Sequence, residues 1–317
     1  MNDKVLLAGE AMALFIANEE GPLDAVNTYS MAVAGAELNV AIGLTRLGHS
    51  VSYMTRLGSD PFGKRIANEI SRNHISTDMI TWEEEHKTGF MLKGKTHEGD
   101  PAIYYFRKNS AASMLCADDI RKVDLSSFGC VHLTGILPAL SECACEATVE
   151  LAKKARSGGI LLTFDPNLRP QLWPDRQHMV STINSIAAMA DIVMPGEAEG
   201  EQLCGTRDPE QIGKFYRDLG VRTVLVKIGK RGTYVVSDAF HGLVKGFHVS
   251  HVVDTVGAGD GFAAGVLSAL IEGKGIADAV ERGNAVGALQ VMNVGDNEGL
   301  PDREKLAEFM GISSSAL

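Results

Sequence analysis

Between Val131 and Asp165 two short apolar runs, Val131–Thr134 and Ile160–Asp165, flank a helical stretch from about Ser141 to Arg156. Such strand–helix–strand alternation constrains a chain more than any single motif, because neighbouring parallel strands need a long crossover between them. The pattern predicts an open, mostly parallel sheet with helices on both faces. Val5–Gly9 reads as a further buried strand near the start of the chain. With 317 residues, 45% of them hydrophobic, the chain can bury one large core, or one core and a small appendage.

One stretch carries the chemistry. Val253-Asp254-Thr255-Val256-Gly257-Ala258-Gly259-Asp260-Gly261-Phe262 follows a β-branched run, His248 to Val253, and opens an apolar segment, Phe262 to Ile271, that reads as a helix. A strand feeding a Gly-Ala-Gly turn at a helix start leaves backbone N–H groups unpaired and converging, with the positive end of the helix dipole behind them. That is an anion site, and Gly257 and Gly259 let a phosphate oxygen come close to the backbone. An acid in the first turn of a helix is often only a cap or a complement to the dipole. Here Asp254 lies six residues before Asp260, beyond the glycine turn. A carboxylate beside a phosphate cradle is placed to take a proton from an attacking hydroxyl.

Other classes lose ground on the same sequence. A net charge of −10 and a pI near 5.4 argue against a nucleic-acid surface. No apolar run approaches the roughly 20 residues a membrane span needs, and Met1-Asn2-Asp3-Lys4 opens into a strand without a signal-peptide profile, so the expected location is cytoplasmic. The five cysteines (Cys116, Cys130, Cys143, Cys145, Cys204) contain no C-x-x-C pair and are expected as reduced, structural thiols. Gly9 is followed by Glu10-Ala11-Met12-Ala13 rather than a dinucleotide fingerprint, which disfavours an NAD-dependent dehydrogenase. Gly58-Ser59-Asp60-Pro61-Phe62-Gly63-Lys64 has the spacing of a P-loop but ends in Arg65, without the hydroxyl that holds Mg²⁺; Asp60-Pro61 reads as a helix N-cap with proline after it.

The Asp-Thr-Val-Gly-Ala-Gly-Asp run resembles the C-terminal signature of the ribokinase-like (PfkB) carbohydrate kinases, and the resemblance extends over nearly the whole chain. It implies that Asp260 is the catalytic base and that the amides of Val256, Gly257, Ala258 and Gly259 hold the migrating phosphoryl group. Ala34-Gly35-Ala36-Glu37-Leu38-Asn39 is similar to the N-terminal signature, with Ala34 for its first glycine; Gly35 and Asn39 would face the sugar. Leu14–Ile16, Thr28–Val33, Gly89–Lys93 and Ala102–Phe106 are strand-like, the last two joined by the turn-rich Thr96–Pro101. Together they would form a small four-stranded sheet, which the resemblance makes a lid over the sugar and the contact of a homodimer. The implied division is a core of residues 1–10, 34–87 and 108–317, and a lid of residues 11–33 and 88–107.

Tyr104-Tyr105-Phe106-Arg107 and the following Ser110-Ala111-Ala112 look like a stretch of 2-keto-3-deoxygluconate kinases, with Phe106 inserted before the arginine. Tyr105 and Arg107 would then bind a sugar acid. Asp165-Pro166-Asn167-Leu168-Arg169 through Trp173 is similar to a motif of the fructokinase and ketodeoxygluconate-kinase branches, with Asn167 and Arg169 facing the phosphate and its acceptor and Trp173 packing. Gly196 stands where the family has Asn in its Mg²⁺ motif, while Glu199 is kept to hold the ion through water. Lys227, Gly229 and Gly232 would border ATP, Asn284 the adenine, and Asp296 the sugar. Asp254 and the carbonyls of residues 294–299 would take a monovalent cation such as K⁺. The expected activity is ATP-dependent phosphorylation of 2-keto-3-deoxygluconate to its 6-phosphate, with fructose or another ketose as the alternative, and a non-catalytic ATP-binding regulator as the reading an intact Asp260 opposes.

Overall fold

The structure, a computed structural model, describes residues 3–96, 101–293, 295–313 and 317. Thirteen strands are formed among the described residues: β1 (Lys4–Ala8), β2 (Met12–Ala17), β3 (Tyr29–Ala34), β4 (Val51–Gly58), β5 (Ile80–Glu83), β6 (Phe90–Lys93), β7 (Ile103–Phe106), β8 (Phe128–Thr134), β9 (Leu161–Asp165), β10 (Ile192–Val193), β11 (Thr223–Lys227), β12 (Gly232–Ser237) and β13 (His241–Lys245). Nine of them make one sheet in the order β13-β12-β11-β10-β9-β8-β1-β4-β5, parallel except where β12 pairs with β11 and β13. Strand alternation divides the core in two. Val5 and Leu7 of β1 face the helices Ala36–Arg46, Ala258–Ile271 and Ile276–Gln290, whereas Leu6 and Ala8 face the helices Glu142–Ser157 and Arg176–Ala187. This is the doubly covered sheet that the alternation after Val131 predicts.

The other four strands form the separate small sheet, in the order β3-β2-β6-β7. Phe90 and Phe106 stack on one of its faces at 4.4 Å, and Met12, Leu14 and Met91 are buried. The turn expected at Thr96–Pro101 has residues 97–100 outside the described set, as has residue 294 of the expected cation loop. Asp60 caps the helix Pro61–Arg72, accepting from the N–H groups of Phe62 and Gly63 at 2.9 Å, so the P-loop spacing is indeed a helix start. All five cysteines are free.

One expected element is absent. His248–Val253 forms no strand; the run is held instead by the Val291 carbonyl, which accepts from the N–H groups of Val253 at 2.8 Å and Asp254 at 3.3 Å. β-Branched residues suit a strand only where a neighbour offers an edge, and here the chain passes the end of the helix Ile276–Gln290. The following helix also begins four residues before the expected Phe262, at Ala258, which puts Asp260 inside its first turn.

That helix is fixed by contact of backbones. A Cβ on Gly265 would come within 2.8 Å of the Arg282 carbonyl and the Gly283 Cα, and one on Gly283 within 2.9 Å of the Phe262 carbonyl. Gly265→Ala should therefore force the two helices apart and destabilise the protein by about 1–3 kcal/mol, the usual cost of overpacking. Urea unfolding measures it; a midpoint equal to wild type would show that the pair has slack.

Candidate active site

The C-terminal ends of β1, β9 and β11, the start of the helix Ala258–Ile271 and the inner face of the small sheet enclose a cavity of about 610 Å³. Gly257, at φ 78°, is the N-cap of that helix, and a Cβ there would collide with the Asp296 carbonyl at 2.1 Å. Only glycine makes this turn without strain. Val256, Gly257 and Gly259 line the cavity together with Asp260, so the cradle and the acid expected from the sequence share one space.

Asp260 Oδ2 accepts from Asn39 Nδ2 at 2.9 Å. Desolvation pushes its carboxyl up to about 7 against the pull of that hydrogen bond, with Asp165 and Glu37 raising it further and Arg169 opposing them. A base poised near neutral pH is what proton abstraction from a hydroxyl requires. Asn39 in turn is held by Asn297 Nδ2 at 3.1 Å. Gly35, before the helix Ala36–Arg46, is set by space: a Cβ would lie 2.8 Å from the Glu10 carbonyl.

Beside the cradle, where a Cβ on Gly259 would come within 3.6 Å of the Lys227 ammonium, Lys227 Nζ donates to Asp165 Oδ2 at 2.6 Å. Burial alone would lower the ammonium, but Asp165 and Glu199 outweigh it and raise it. Glu199 is itself raised by burial, with Lys227 opposing. Its two oxygens accept from Leu168 N at 2.9 Å and Gly196 N at 2.7 Å, closing the cap of the helix Glu197–Cys204. Asn167, at φ 37°, turns the chain after β9, and Arg169 Nη1 donates back to the carbonyls of Asn167 and Leu168 at 3.3 and 2.9 Å. Among the described residues Arg169 makes no ion pair, which leaves its charge for an incoming anion.

Tyr105 and Arg107 line the cavity on the side of the small sheet. Arg107 is 6% exposed and bonded to Glu10 Oε2, at 2.6 Å from Nε and 2.5 Å from Nη2. The inserted Phe106 points away, stacked on Phe90, so it does not turn Arg107 out of the cavity. Asp296 also lines the cavity and is pushed up to about 6 by burial.

Four expected site residues stand differently from the rest. Asp254 Oδ2 is bonded to the Lys93 ammonium at 3.0 Å, where a monovalent cation was expected. Asn284 spends its amide on Thr233 Oγ1 and the carbonyls of Val244 and Lys245, tying its helix to β12 and β13 outside this cavity. Gly229 and Gly232 also lie outside it, Gly229 in the turn after β11 and Gly232 at the start of β12. Glu10, Lys93 and Asp165 had no assigned role. An acid at the C-terminal end of a parallel strand is a signal for Glu10 and Asp165; for Lys93 the signal is a lysine in register with Met91 on an apolar strand face.

Residues 2–303 match the pfkB family carbohydrate kinase description. The 2-dehydro-3-deoxygluconokinase of Bacillus subtilis is 47% identical over 303 residues, covering 95% of this chain and 94% of that protein. The crystal structure of a PfkB protein from Polaromonas sp. superposes with a TM-score of 0.88 at 41% identity, covering 96% and 98% of the two chains. A fructokinase from Vibrio cholerae, solved with fructose, ADP and potassium ion, superposes at 0.86 with 26% identity, covering 97% and 98%. A glycine-capped anion cradle and a carboxyl poised near neutrality, on a fold shared across the whole length, lead to one assignment: the chain belongs to the pfkB family of carbohydrate kinases.

Proposed function

We propose that the protein transfers the terminal phosphoryl group of ATP to a hydroxyl of 2-keto-3-deoxygluconate. The observation that carries the reaction is Asp260 beside the amides of Gly257 to Gly259 in one cavity; the one that favours a sugar acid is the buried Arg107 at its other end. Asp260 takes the proton of the attacking hydroxyl. The amides of the turn from Gly257 to Gly259, and Arg169, which makes no ion pair among the described residues, receive the charge of the phosphoryl group as it moves. Lys227, fixed by Asp165, faces the phosphates of the donor, and the turn from Gly229 to Gly232 with Asn284 borders its base.

Mg²⁺ fits the residues present. Each Glu199 oxygen takes one N–H and keeps a lone pair for a water of the ion's shell, and an ion that keeps most of its waters needs no protein cage. Bound there, Mg²⁺ would neutralise phosphate charge. K⁺ does not fit at Asp254, whose carboxylate already holds an ammonium. The small sheet serves as a lid, with residues 11–33 and 88–107 as its extent. Ile103, Tyr104 and Phe106 of β7 are exposed, at 38%, 62% and 44%, and a second copy covering them supports a homodimer through this edge. Sedimentation of the purified protein should give twice the monomer mass, and Tyr104→Glu should shift it to monomer; a wild-type monomer sinks that part.

Asp260→Asn keeps the shape but removes the proton acceptor, so turnover should fall by roughly 10²- to 10⁴-fold while ATP still binds. Turnover within tenfold of wild type would leave Asp260 as a helix cap only. The pH profile carries a sign. Asp260 works ionised, and burial pushes it up to about 7, so kcat/KM should be level above neutrality and fall as pH drops through 7. A profile flat down to pH 5 would refute the raised carboxyl.

Substrate choice is read as a ratio. Glu10 takes two of the five guanidinium N–H donors and leaves the rest for a substrate carboxylate. Arg107→Ala should cost about 1.5–3 kcal/mol in kcat/KM for the sugar acid and far less for fructose. Because the change also leaves Glu10 unpaired, equal losses on both sugars would mark damage to the site rather than recognition, and the ketokinase alternative would replace the sugar-acid reading.

A further inference from the structure

Lys93 is the residue whose position packing does not explain. It sits at the end of β6, on the same side of the strand as Met91, and both side chains line the cavity. Only 7% exposed, its ammonium lies 3.0 Å from Asp254 Oδ2 and 3.9 Å from Asp296 Oδ1. A lysine is buried this far only where acids compensate it. These two acids belong to the two loops that build the anion cradle. Asp254 Oδ1 accepts the Val256 N–H at 3.0 Å, and the Asp296 carbonyl is the atom against which Gly257 makes its turn. One charge carried by the small sheet therefore holds both loops beneath the amides that face phosphate.

Asp254 was expected to bind a free monovalent cation, and that ion does not fit beside an ammonium already at its carboxylate, because the like charges would repel at contact distance. We infer that Lys93 is a tethered replacement for that ion: a positioning residue that supplies the cradle loops with their positive charge and frees phosphoryl transfer from any need for potassium. An ammonium group and a potassium ion have equal charge and similar size, so the exchange is chemically direct. Tethering adds something an ion lacks. The charge arrives on β6, beside Met91 at the sugar end, so the cradle and the lid strand are mechanically joined.

The inference rests on the kinase reading above, and its test separates the two. Phosphoryl transfer and thermal unfolding are measured in tetramethylammonium chloride and in potassium chloride at equal ionic strength, for wild type, Lys93→Met and Lys93→Arg. Wild type should change by less than about twofold between the salts. Lys93→Met strips the two acids of their partner and should lose about 10- to 100-fold in kcat/KM in tetramethylammonium, with potassium restoring about tenfold. Its melting temperature should rise in potassium alone, while Lys93→Arg, which keeps the charge, should melt equally in both salts. Potassium activation of wild type would overturn the inference whatever the variants do, and so would a Lys93→Met protein indifferent to potassium in both rate and melting. A wild type that phosphorylates no sugar in either salt would sink the kinase reading instead, and the melting comparison would then decide on Lys93 alone.

Discussion

The constraint on which the rest depends is that a carboxylate must wait, uncompensated by any cation in contact, beside a place reserved for phosphate. Asp260 meets it by position. Set in the first turn of the helix Ala258–Ile271, it receives one hydrogen bond, from Asn39, and otherwise faces the cavity. Partial desolvation raises its carboxyl to about 7, and the same helix start that lacks N–H partners is the cradle for the anion. Base and cradle come from a single turn of chain, so their spacing is set by covalent geometry rather than by the docking of separate elements.

The remaining charges around the cavity are for the most part paired with one another. Arg107 is bound to Glu10, Lys227 to Asp165 and Lys93 to Asp254. In each pair at least one member is buried, and each would be costly to break by removing one member. Arg169 alone among the cavity-lining cations has no ion pair among the described residues, and it lies on the loop after β9, facing the same space as Asp260. Pairing three cations and leaving one unpaired directs an incoming anion to the unpaired one, which is an electrostatic reason for phosphate to settle near Arg169 rather than at Arg107. The same reasoning sets a demand on a sugar acid. Its carboxylate must be recognised by a guanidinium whose charge Glu10 already offsets, through the N–H donors that remain.

Much of this was legible in the sequence, for stated reasons. The buried strands at Val5, Val131 and Ile160 announce themselves because both faces of a parallel sheet are apolar, and Gly257-Ala258-Gly259-Asp260 announces the site because few other uses need glycines at that spacing before an acid. What was hidden depends on contacts between residues far apart in the chain. Asp254 read as a cation ligand because nothing near it in sequence reveals Lys93, which is 161 positions away and reaches it only once the small sheet folds over the cavity. The contacts of Asn284 were hidden for the same reason: its partners at Val244 and Lys245 are some 40 positions distant. His248–Val253 misled differently. Its residues favour a strand, but strand formation is decided by whether an edge is free to receive it.

The packing of Gly265 against Gly283 carries the argument back to chemistry. Those two glycines let the helices Ala258–Ile271 and Ile276–Gln290 approach to backbone contact, and the second helix ends at Gln290, whose Nε2 donates to the carbonyls of Gly295 at 2.7 Å and Val256 at 3.3 Å. One amide thus ties together the two loops that Lys93 joins from the opposite side. Held between a buried glutamine on the core side and a buried lysine on the small sheet, Val256 and Gly257 cannot shift without breaking a polar contact, which is the condition for the amides of the glycine turn to meet an incoming anion without first reorganising.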